Sequence, residues 1–373
     1  MTLSATERAR YHRHIALAEI GAAGQEKLKA ARVLIIGAGG LGSPAALYLA
    51  AAGCGTLGLL DFDRVDLSNL QRQVLFDSAG VARPKAEAGG ERLAALNPEI
   101  RINAHTLELK AANVRAALAD YDIVIDGTDR LATRYLLNDA CVLYGKALVS
   151  AAIHRFEGQL MTYVPHQGPC YRCLFPQGRD GIVATCAEAG VLGVLPGVLG
   201  TLQATEAIKL ITGVGEPLIG RLLTYDALDM RFQEFRVSRR RDCAVCGDAP
   251  SITEPRDQDP APAGDPSGGV RRLSAGDLQE LLQTRAPLLV DVREPYEFAV
   301  GHLAGARHIP LGELPRRLAE IPKDAAPVFI CRSGGRSLAA CAMALAAGIA
   351  SPANLEGGLQ AWAREVDPTL AVA

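Results

Sequence analysis

One short stretch constrains this chain more than any other. Residues 32–42 read Arg-Val-Leu-Ile-Ile-Gly-Ala-Gly-Gly-Leu-Gly. The run from Val33 to Ile36 is apolar and rich in β-branched side chains, the pattern of a strand buried on both faces. Gly37, Gly39 and Gly42 then give the spacing G-x-G-x-x-G, and residues 43–52 continue as an Ala/Leu-rich helix. A strand, a glycine turn and a helix start make a seat for phosphate, because amide N–H groups point outward and the helix dipole favours anions. The motif alone leaves a dinucleotide, a mononucleotide and a plain packing turn open. The flanking strand and helix argue against the last.

At 373 residues the chain is long enough for two domains. Nearly half of it is apolar, so a sizeable core is available, and a net charge of −2 gives no basic field for nucleic acid. No apolar run reaches the length that spans a bilayer. The first ten residues are polar and charged, unlike a secretory signal, so the expected compartment is the cytoplasm. Nine cysteines include two C-x-x-C pairs, which in a cytosolic chain favours metal and catalytic thiols over disulfides.

The rest of the first two thirds alternates strand and helix. Residues 7–28 read as a basic helix carrying Arg8, Arg10, His12, Arg13 and His14. Strands are expected at 58–62, 101–106, 122–126, 147–152 and 159–164, and helices at 82–96, 112–119 and 193–211. This predicts an α/β fold with a doubly wound, Rossmann-like parallel sheet. Ligands in such sheets bind at the carboxyl ends of strands, where the glycine loop, Asp61 and Asp129 all fall. Residues 249–269 hold five prolines and no apolar periodicity and read as a linker. As a flexible coil it reaches roughly 25 Å. From residue 270 a smaller α/β pattern follows, with strands at 288–291, 328–330 and 354–356 and helices at 336–347 and 359–365. The expected domains are therefore 1–248, a linker at 249–269, and 270–373.

Asp61, about 20 residues beyond the glycines, suits a ribose hydroxyl in NAD and ATP alike. The downstream set decides between them: Ser68-Asn69-Leu70-Gln71-Arg72-Gln73, then Lys85, then Asp129. Hydride transfer needs no cations on a triphosphate, whereas nucleotidyl transfer builds charge on the phosphates as they are displaced. Arg72 and Lys85 are placed to neutralise it, and Asp129 at a strand end to hold Mg²⁺ through oxygen. Cys170-x-x-Cys173 and Cys243-x-x-Cys246 together offer four thiolates, the set a closed structural Zn²⁺ site accepts; a redox role for one pair is the alternative. Both pairs sit in turn-like stretches, which favours metal.

At these residues the chain resembles the ubiquitin-activating-like adenylyltransferases of the MoeB/ThiF type. The matching motifs are Arg10-Tyr11-His12-Arg13, the Gly37–Gly42 loop, Leu60-Asp61-Phe62-Asp63, the Ser68–Gln73 run, Pro84-Lys85, Gly127-Thr128-Asp129, the two cysteine pairs and Thr185-Cys186. The resemblance covers residues 5–247. It implies adenylation by ATP of the C-terminal glycine of a small ubiquitin-like sulfur carrier of the MoaD/ThiS type. By position, Gly40, Asp61, Ser68, Asn69, Arg72 and Lys85 are implied to contact ATP, and Asp129 to bind Mg²⁺. Arg130 beside it is counted with the cofactor set, although the family usually has Asn there. Arg13 is implied to reach the phosphates of the neighbouring subunit, and hence a homodimer. The resemblance also puts Cys186 near the adenylated glycine, as a thiol able to hold the carrier covalently. Cys54, Cys141 and Cys341 fall within helical runs and read as core.

Residues 328–337 read Val-Phe-Ile-Cys-Arg-Ser-Gly-Gly-Arg-Ser, a strand, a tight loop and a helix start. Loop N–H groups converging on Cys331 form an anion nest, which favours a thiolate. Four residues separate Cys331 from Arg336, one fewer than in cysteine phosphatases, which leaves room for a persulfide sulfur rather than a phosphate. This stretch, with Asp291-Val292-Arg293, Gly301-His302 and Leu355-Glu356-Gly357-Gly358, resembles the rhodanese sulfurtransferases over residues 270–367.

The two resemblances together imply a multifunctional enzyme. It adenylates a carrier and then transfers sulfur from a Cys331 persulfide to give a thiocarboxylate, with a cysteine desulfurase or thiosulfate as donor. Such carriers serve the molybdenum cofactor, thiamine, cysteine or tRNA thiolation. Two other readings are a nicotinamide-dependent oxidoreductase fused to a sulfur-handling domain, and a non-catalytic scaffold that docks ubiquitin-like proteins.

Overall fold

A computed structural model describes residues 2–176, 190–257 and 270–372. Contacts divide the chain into two compact units.

The N-terminal basic segment is three helices rather than one: α1 (Ala5–Arg10), α2 (His12–Ile15) and α3 (Gly21–Ala30). Ser4 and Glu7 form a reciprocal cap on α1, and Gly21, at φ +57, restarts the chain as α3. Next come β1 (Arg32–Ile36), α4 (Gly42–Ala51), β2 (Thr56–Leu60), α5 (Lys85–Leu96), β3 (Arg101–His105), α6 (Ala111–Leu118) and β4 (Ile123–Asp126). The helical run that holds Cys141 is α7 (Leu131–Leu143), and it leads to β5 (Ala147–His154). The unit closes with β6 (Glu157–Tyr163), the short α8 (Tyr171–Leu174), α9 (Leu195–Thr212), β7 (Arg221–Asp226) and β8 (Arg231–Arg236).

The eight strands form one sheet in the order β3-β2-β1-β4-β5-β6-β7-β8. The first five are parallel, as expected, but β6, β7 and β8 pair antiparallel. The sheet is therefore mixed. Local turns force the reversal: only Arg155 and Phe156 link β5 to β6, with Arg155 at φ +52, and a two-residue link returns a strand only antiparallel. Between β7 and β8, Asp226 Oδ1 accepts the N–H groups of Leu228 and Asp229 and closes a second turn. Residues in β1 alternate between two cores. Val33 and Ile35 pack with α4 and α9, whereas Leu34 and Ile36 pack with α6 and α7. This two-sided burial explains the unbroken apolar run in the sequence.

The second unit holds a five-stranded sheet, order β11-β10-β12-β13-β9, parallel throughout. Its elements are β9 (Arg271–Leu273), α10 (Ala275–Thr284), β10 (Leu289–Asp291), α11 (Pro295–Val300), β11 (Arg307–His308), α12 (Leu314–Arg317), β12 (Val328–Ile330), α13 (Gly335–Ala346), β13 (Ala353–Leu355) and α14 (Gly358–Glu365). Residues 249–257, read from sequence as the start of the linker, bond to the first unit. Ser251 and Ile252 donate N–H to the Ala244 carbonyl, and Asp257 accepts from the N–H of Ala111.

Two glycines admit close backbone approaches. A Cβ on Gly42 would fall inside the van der Waals shell of the Gly37 carbonyl oxygen, and one on Gly200 of α9 would meet the Leu41 carbonyl. Gly42→Ala is therefore expected to cost about 3 kcal/mol and to lower the midpoint of thermal unfolding. Gly197→Ala, also on α9 and with open space around it, is expected to be neutral or to stabilise by about 0.5–1 kcal/mol.

Candidate functional site

In the first unit the sheet opens between β1 and β4, the point where the strand order reverses. The Gly37–Gly42 loop leaves β1 there and runs into α4. Asp61 follows β2, and Gly127-Thr128-Asp129 follows β4. Asp61 is buried and ties two of these loops: Oδ2 accepts the Ala38 N–H at 2.8 Å and Oδ1 the Asp63 N–H at 2.8 Å. Burial pushes its carboxyl above the usual carboxylate range, although Lys85 and the two amides pull it back. The buried Lys85 reaches Asp63 at 3.4 Å. Ser68 and Asn69 lie in a 3₁₀ turn capped by Asp66, which accepts both the Ser68 N–H and its hydroxyl. Arg72 folds back to donate to the Ser68 carbonyl, and its Cγ lies 3.6 Å from where a Cβ on Gly40 would stand. Asp129 is exposed at the end of β4. The structure thus sets Gly40 beside Arg72, ties Asp61 to the glycine loop and Lys85 to Asp63, and leaves Asp129 exposed on the loop after β4, the strand beside β1.

Two other expected residues stand apart. Arg130 donates to Glu108 at 3.2 Å and its guanidinium lies 4.7 Å from the Phe62 ring centroid, which engages it at the crevice edge. Arg13 is exposed on α2. Its neighbour Tyr11 packs against Gly53, just past the end of α4 opposite the glycine loop. A ten-residue helix is about 15 Å long, more than an arginine side chain spans, so Arg13 does not reach the crevice of its own chain. Cys186 lies outside the described residues.

Cys170, Cys173, Cys243 and Cys246 bring their Sγ atoms within 4.8 Å of one another. The closest pairs, Cys170–Cys243 at 3.6 Å and Cys173–Cys246 at 3.4 Å, approach the sulfur–sulfur edge of about 3.8 Å that Zn–S bonds of about 2.3 Å set in a tetrahedron. Hydrogen bonds from Cys170 and Cys246, and from the Arg240 N–H, pull Cys173 towards the thiolate. The donor set fits a zinc ion. Sequence reading did not find what seats this clip: Arg172 makes a bidentate pair with Asp139 of α7 at 2.6 and 2.7 Å, both side chains buried.

In the second unit, Cys331 follows β12 and is fully buried beneath its loop. The Gly334 N–H donates to its Sγ at 3.1 Å, and the Ser337 hydroxyl lies 3.2 Å away. At the start of α14, Leu359 and Gln360 donate N–H to the carbonyls of Cys331 and Arg332, turning those oxygens away from the sulfur. Arg336 pairs bidentately with the buried Glu297 of α11 at 2.6 and 2.7 Å, an anchor that the sequence did not reveal. Asp291 and Arg293, both fully buried, form a second such pair, and Arg293 also donates to the Gly301 carbonyl. The Asp291-Val292-Arg293 and Gly301-His302 motifs are joined by that bond.

Burial alone would raise the Glu297 carboxyl, but hydrogen bonds from Arg336 and from the Glu294 N–H outweigh it and hold the group below the ordinary range. A depressed folded value means stability that is present above the unfolded carboxylate pKa of about 4.3 and is lost as pH falls through the folded value. Glu297→Gln should flatten this acid limb in the unfolding of the second unit. At pH 7 it should lose about 3 kcal/mol, because Arg336 is left buried without its partner. Unfolding by urea across pH 3–7 measures both, as order-of-magnitude effects.

Three comparisons bear on the whole arrangement. Residues 11–245 match the ThiF family model and residues 274–365 the rhodanese-like domain model. The chain is 43% identical over 99% of its length to a probable adenylyltransferase/sulfurtransferase MoeZ of Mycobacterium tuberculosis, covering 96% of that protein. It is 42% identical to the adenylyltransferase and sulfurtransferase MOCS3 of Aedes aegypti, over 98% of this chain and 89% of the other. A Thermus thermophilus sulfur carrier protein adenylyltransferase is 50% identical over 66% of this chain and 93% of its own. Among solved structures, E. coli MccB with ATP superposes with a TM-score of 0.56 at 25% identity, covering 65% of this chain and 75% of that one. With the crevice in the first unit and the buried cysteine loop in the second, these matches establish that the chain belongs to the ThiF family and carries a C-terminal rhodanese-like domain, the architecture of an adenylyltransferase/sulfurtransferase.

Proposed function

We propose that the first unit adenylates the C-terminal glycine of a ubiquitin-like sulfur carrier and the second supplies sulfur to it. The observation that supports this reading is that Asp61 ties the glycine loop to the loop after β2, beside the loop after β4, at the sheet's switch point. In this reading the glycine loop and the N-terminus of α4 receive phosphate. Asp61 takes the ribose, Arg72 and Lys85 neutralise charge that develops on the phosphates, and Asp129 holds Mg²⁺. The carrier carboxylate attacks the α-phosphorus of ATP and pyrophosphate leaves. The product is an acyl adenylate whose leaving group, AMP, departs far more readily than oxide.

Arg13 then serves a second copy of the chain, since it lies beyond reach of its own crevice. Arg13→Ala and Lys85→Ala variants, each inactive alone in ATP–pyrophosphate exchange, should recover activity when mixed and allowed to exchange subunits. No recovery on mixing would overturn the homodimer with a shared site.

In sulfur transfer the atom handed over is the outer sulfur of a Cys331 persulfide, one S–S bond of about 2 Å beyond Sγ. The persulfide is loaded by a cysteine desulfurase or thiosulfate. That sulfur attacks the acyl carbon, AMP leaves, and an acyl disulfide forms between carrier and Cys331. Attack by a thiol on Cys331 Sγ releases the carrier thiocarboxylate and leaves a disulfide for a further thiol to reduce. Cys331→Ala should leave AMP formation intact and abolish the gain of one sulfur in exchange for one oxygen at the carrier terminus, read by intact mass. A thiocarboxylate formed at the normal rate by this variant would sink the division of labour.

The four-cysteine clip is read as a structural Zn²⁺ site. When bound, the ion supplies a cross-link between the turn before α8 and the segment after β8. Metal analysis should find about one zinc per chain. Cys243→Ser should lose that zinc and lower the melting temperature of the first unit.

A further inference from the structure

The end of β4 carries more polar machinery than a turn requires. Asp126 and Arg134, on the first turn of α7, are both buried and bonded through Arg134 Nε at 2.9 Å. Neither was singled out from the sequence. The other oxygen of Asp126 accepts both the N–H of Thr128 at 3.1 Å and its hydroxyl at 2.7 Å. Arg134 Nη2 donates to the Thr128 carbonyl at 2.9 Å and to the Ala151 carbonyl of β5 at 2.9 Å. Ser150 completes the ring by donating to Asp126 Oδ2 at 2.8 Å. Both main-chain polar groups of Thr128 are therefore fixed, one by the carboxylate and the other by the guanidinium. The residue that follows is Asp129.

The pair does not serve the hydrophobic layers. Its carbonyl acceptors are Thr128, just past the carboxyl end of β4, and Ala151 within the neighbouring β5. A buried ion pair is weak evidence for stability, since an apolar pair of similar volume often does as well. An apolar pair would still pack α7 but would release the Thr128 peptide groups. The guanidinium also stands 5.8 Å from the centroid of the Tyr171 ring, and the Tyr171 N–H donates to Asn138 of α7 at 2.8 Å. Tyr171 lies between the clip residues Cys170 and Cys173. The floor beneath Arg134 is thus a residue held by the cysteine cluster.

We infer that Arg134, through Asp126 and Thr128, is the positioning residue that aims the Asp129 carboxylate at the divalent cation of the nucleotide. This rests on the proposed role of Asp129 as the metal-binding acid. A side chain projecting from an exposed strand end samples several directions unless its own backbone is fixed, and affinity for a cation falls when the ligand must be ordered on binding.

The test reads cation binding rather than turnover. Mn²⁺ is titrated by electron paramagnetic resonance into the full-length protein saturated with the non-hydrolysable analogue AMPCPP. The affinity for AMPCPP alone is measured by calorimetry in EDTA. Asp129→Asn should weaken Mn²⁺ binding. Arg134→Lys keeps the charge but cannot hold the carboxylate and two carbonyls together. It should weaken Mn²⁺ binding about tenfold while leaving AMPCPP affinity in EDTA within about twofold. Thr128→Val removes only the hydroxyl bond to Asp126 and should give a smaller loss of the same kind. It also decides the matter if Arg134→Lys does not fold. Unchanged Mn²⁺ affinity in both folded variants, with Asp129→Asn impaired, overturns the positioning role alone. Unchanged affinity in Asp129→Asn overturns the reading on which it rests.

Discussion

The first unit depends on a contact between pieces of backbone. The Gly37 carbonyl, Gly42 and Gly127 meet so closely that no side chain fits among them. The Gly127 N–H is itself bonded to the last residue of β1. This contact locks the glycine loop to the loop after β4 at the place where neighbouring strands send their connections to opposite faces. A crevice between those connections is a consequence of strand order, not of any side chain. Because the lining consists of main-chain N–H groups and a helix start, its affinity for phosphate is built before any charged residue is added. In the proposed reaction Asp61, Lys85 and Asp129 act on a seat already in place.

Around both sites the charged residues follow one pattern. Asp126–Arg134, Asp139–Arg172, Asp291–Arg293 and Glu297–Arg336 are all buried arginine–carboxylate pairs. Each joins a loop that carries chemistry to a neighbouring element. The first holds the loop before Asp129, and the second seats the cysteine clip on α7. The third fixes the turn after β10, and the fourth anchors the start of α13 beside Cys331. Desolvation takes back most of what such pairs gain, so net stability does not account for their presence. Their fixed fork geometry does, because a guanidinium bonded through two nitrogens, to one carboxylate or, as in Arg134, to a carboxylate and nearby carbonyls, sets both distance and angle where an apolar contact sets neither.

Much of this was legible in the sequence because the relevant signals are local. The strand–glycine–helix unit at residues 32–42, the paired cysteines and the Cys331 loop each announce themselves within a dozen residues. The parallel half of the sheet followed from alternation. What escaped depends on long-range pairing. Helix α7 has no capping side chain and begins at Leu131 after an exposed arginine, so nothing local marks its start. Arg134 and Glu297 look like ordinary surface charges until the fold buries them opposite Asp126 and Arg336. The antiparallel strands β7 and β8 carry few signs of burial. Every residue of β8 is exposed, which gives the polar, charged composition of a sheet edge rather than of a core strand. The basic N-terminal segment was read as one helix because its pattern is continuous, whereas Gly21 breaks it.

The two units solve the same physical problem at different scales. In each, a buried parallel strand ends in a turn whose N–H groups face inward and whose exit is a helix N-terminus. The difference lies in what the turn encloses. In the first unit the loop is flanked by charged side chains, which suits the proposed nucleotide, a large anion whose charge grows during reaction. In the second the loop has closed on one atom. Gly334 and Ser337 reach Cys331 Sγ, while α14 draws the Cys331 and Arg332 carbonyls outward by bonds to Leu359 and Gln360. The Gly334 N–H and the Ser337 hydroxyl are neutral dipoles facing Cys331 Sγ, and Arg336 is engaged by Glu297. Dipoles fixed by backbone bonds do not reorganise as a soft anion gains or loses an atom. A nest of this kind therefore suits the gain and loss of sulfur proposed for Cys331 without movement of its surroundings.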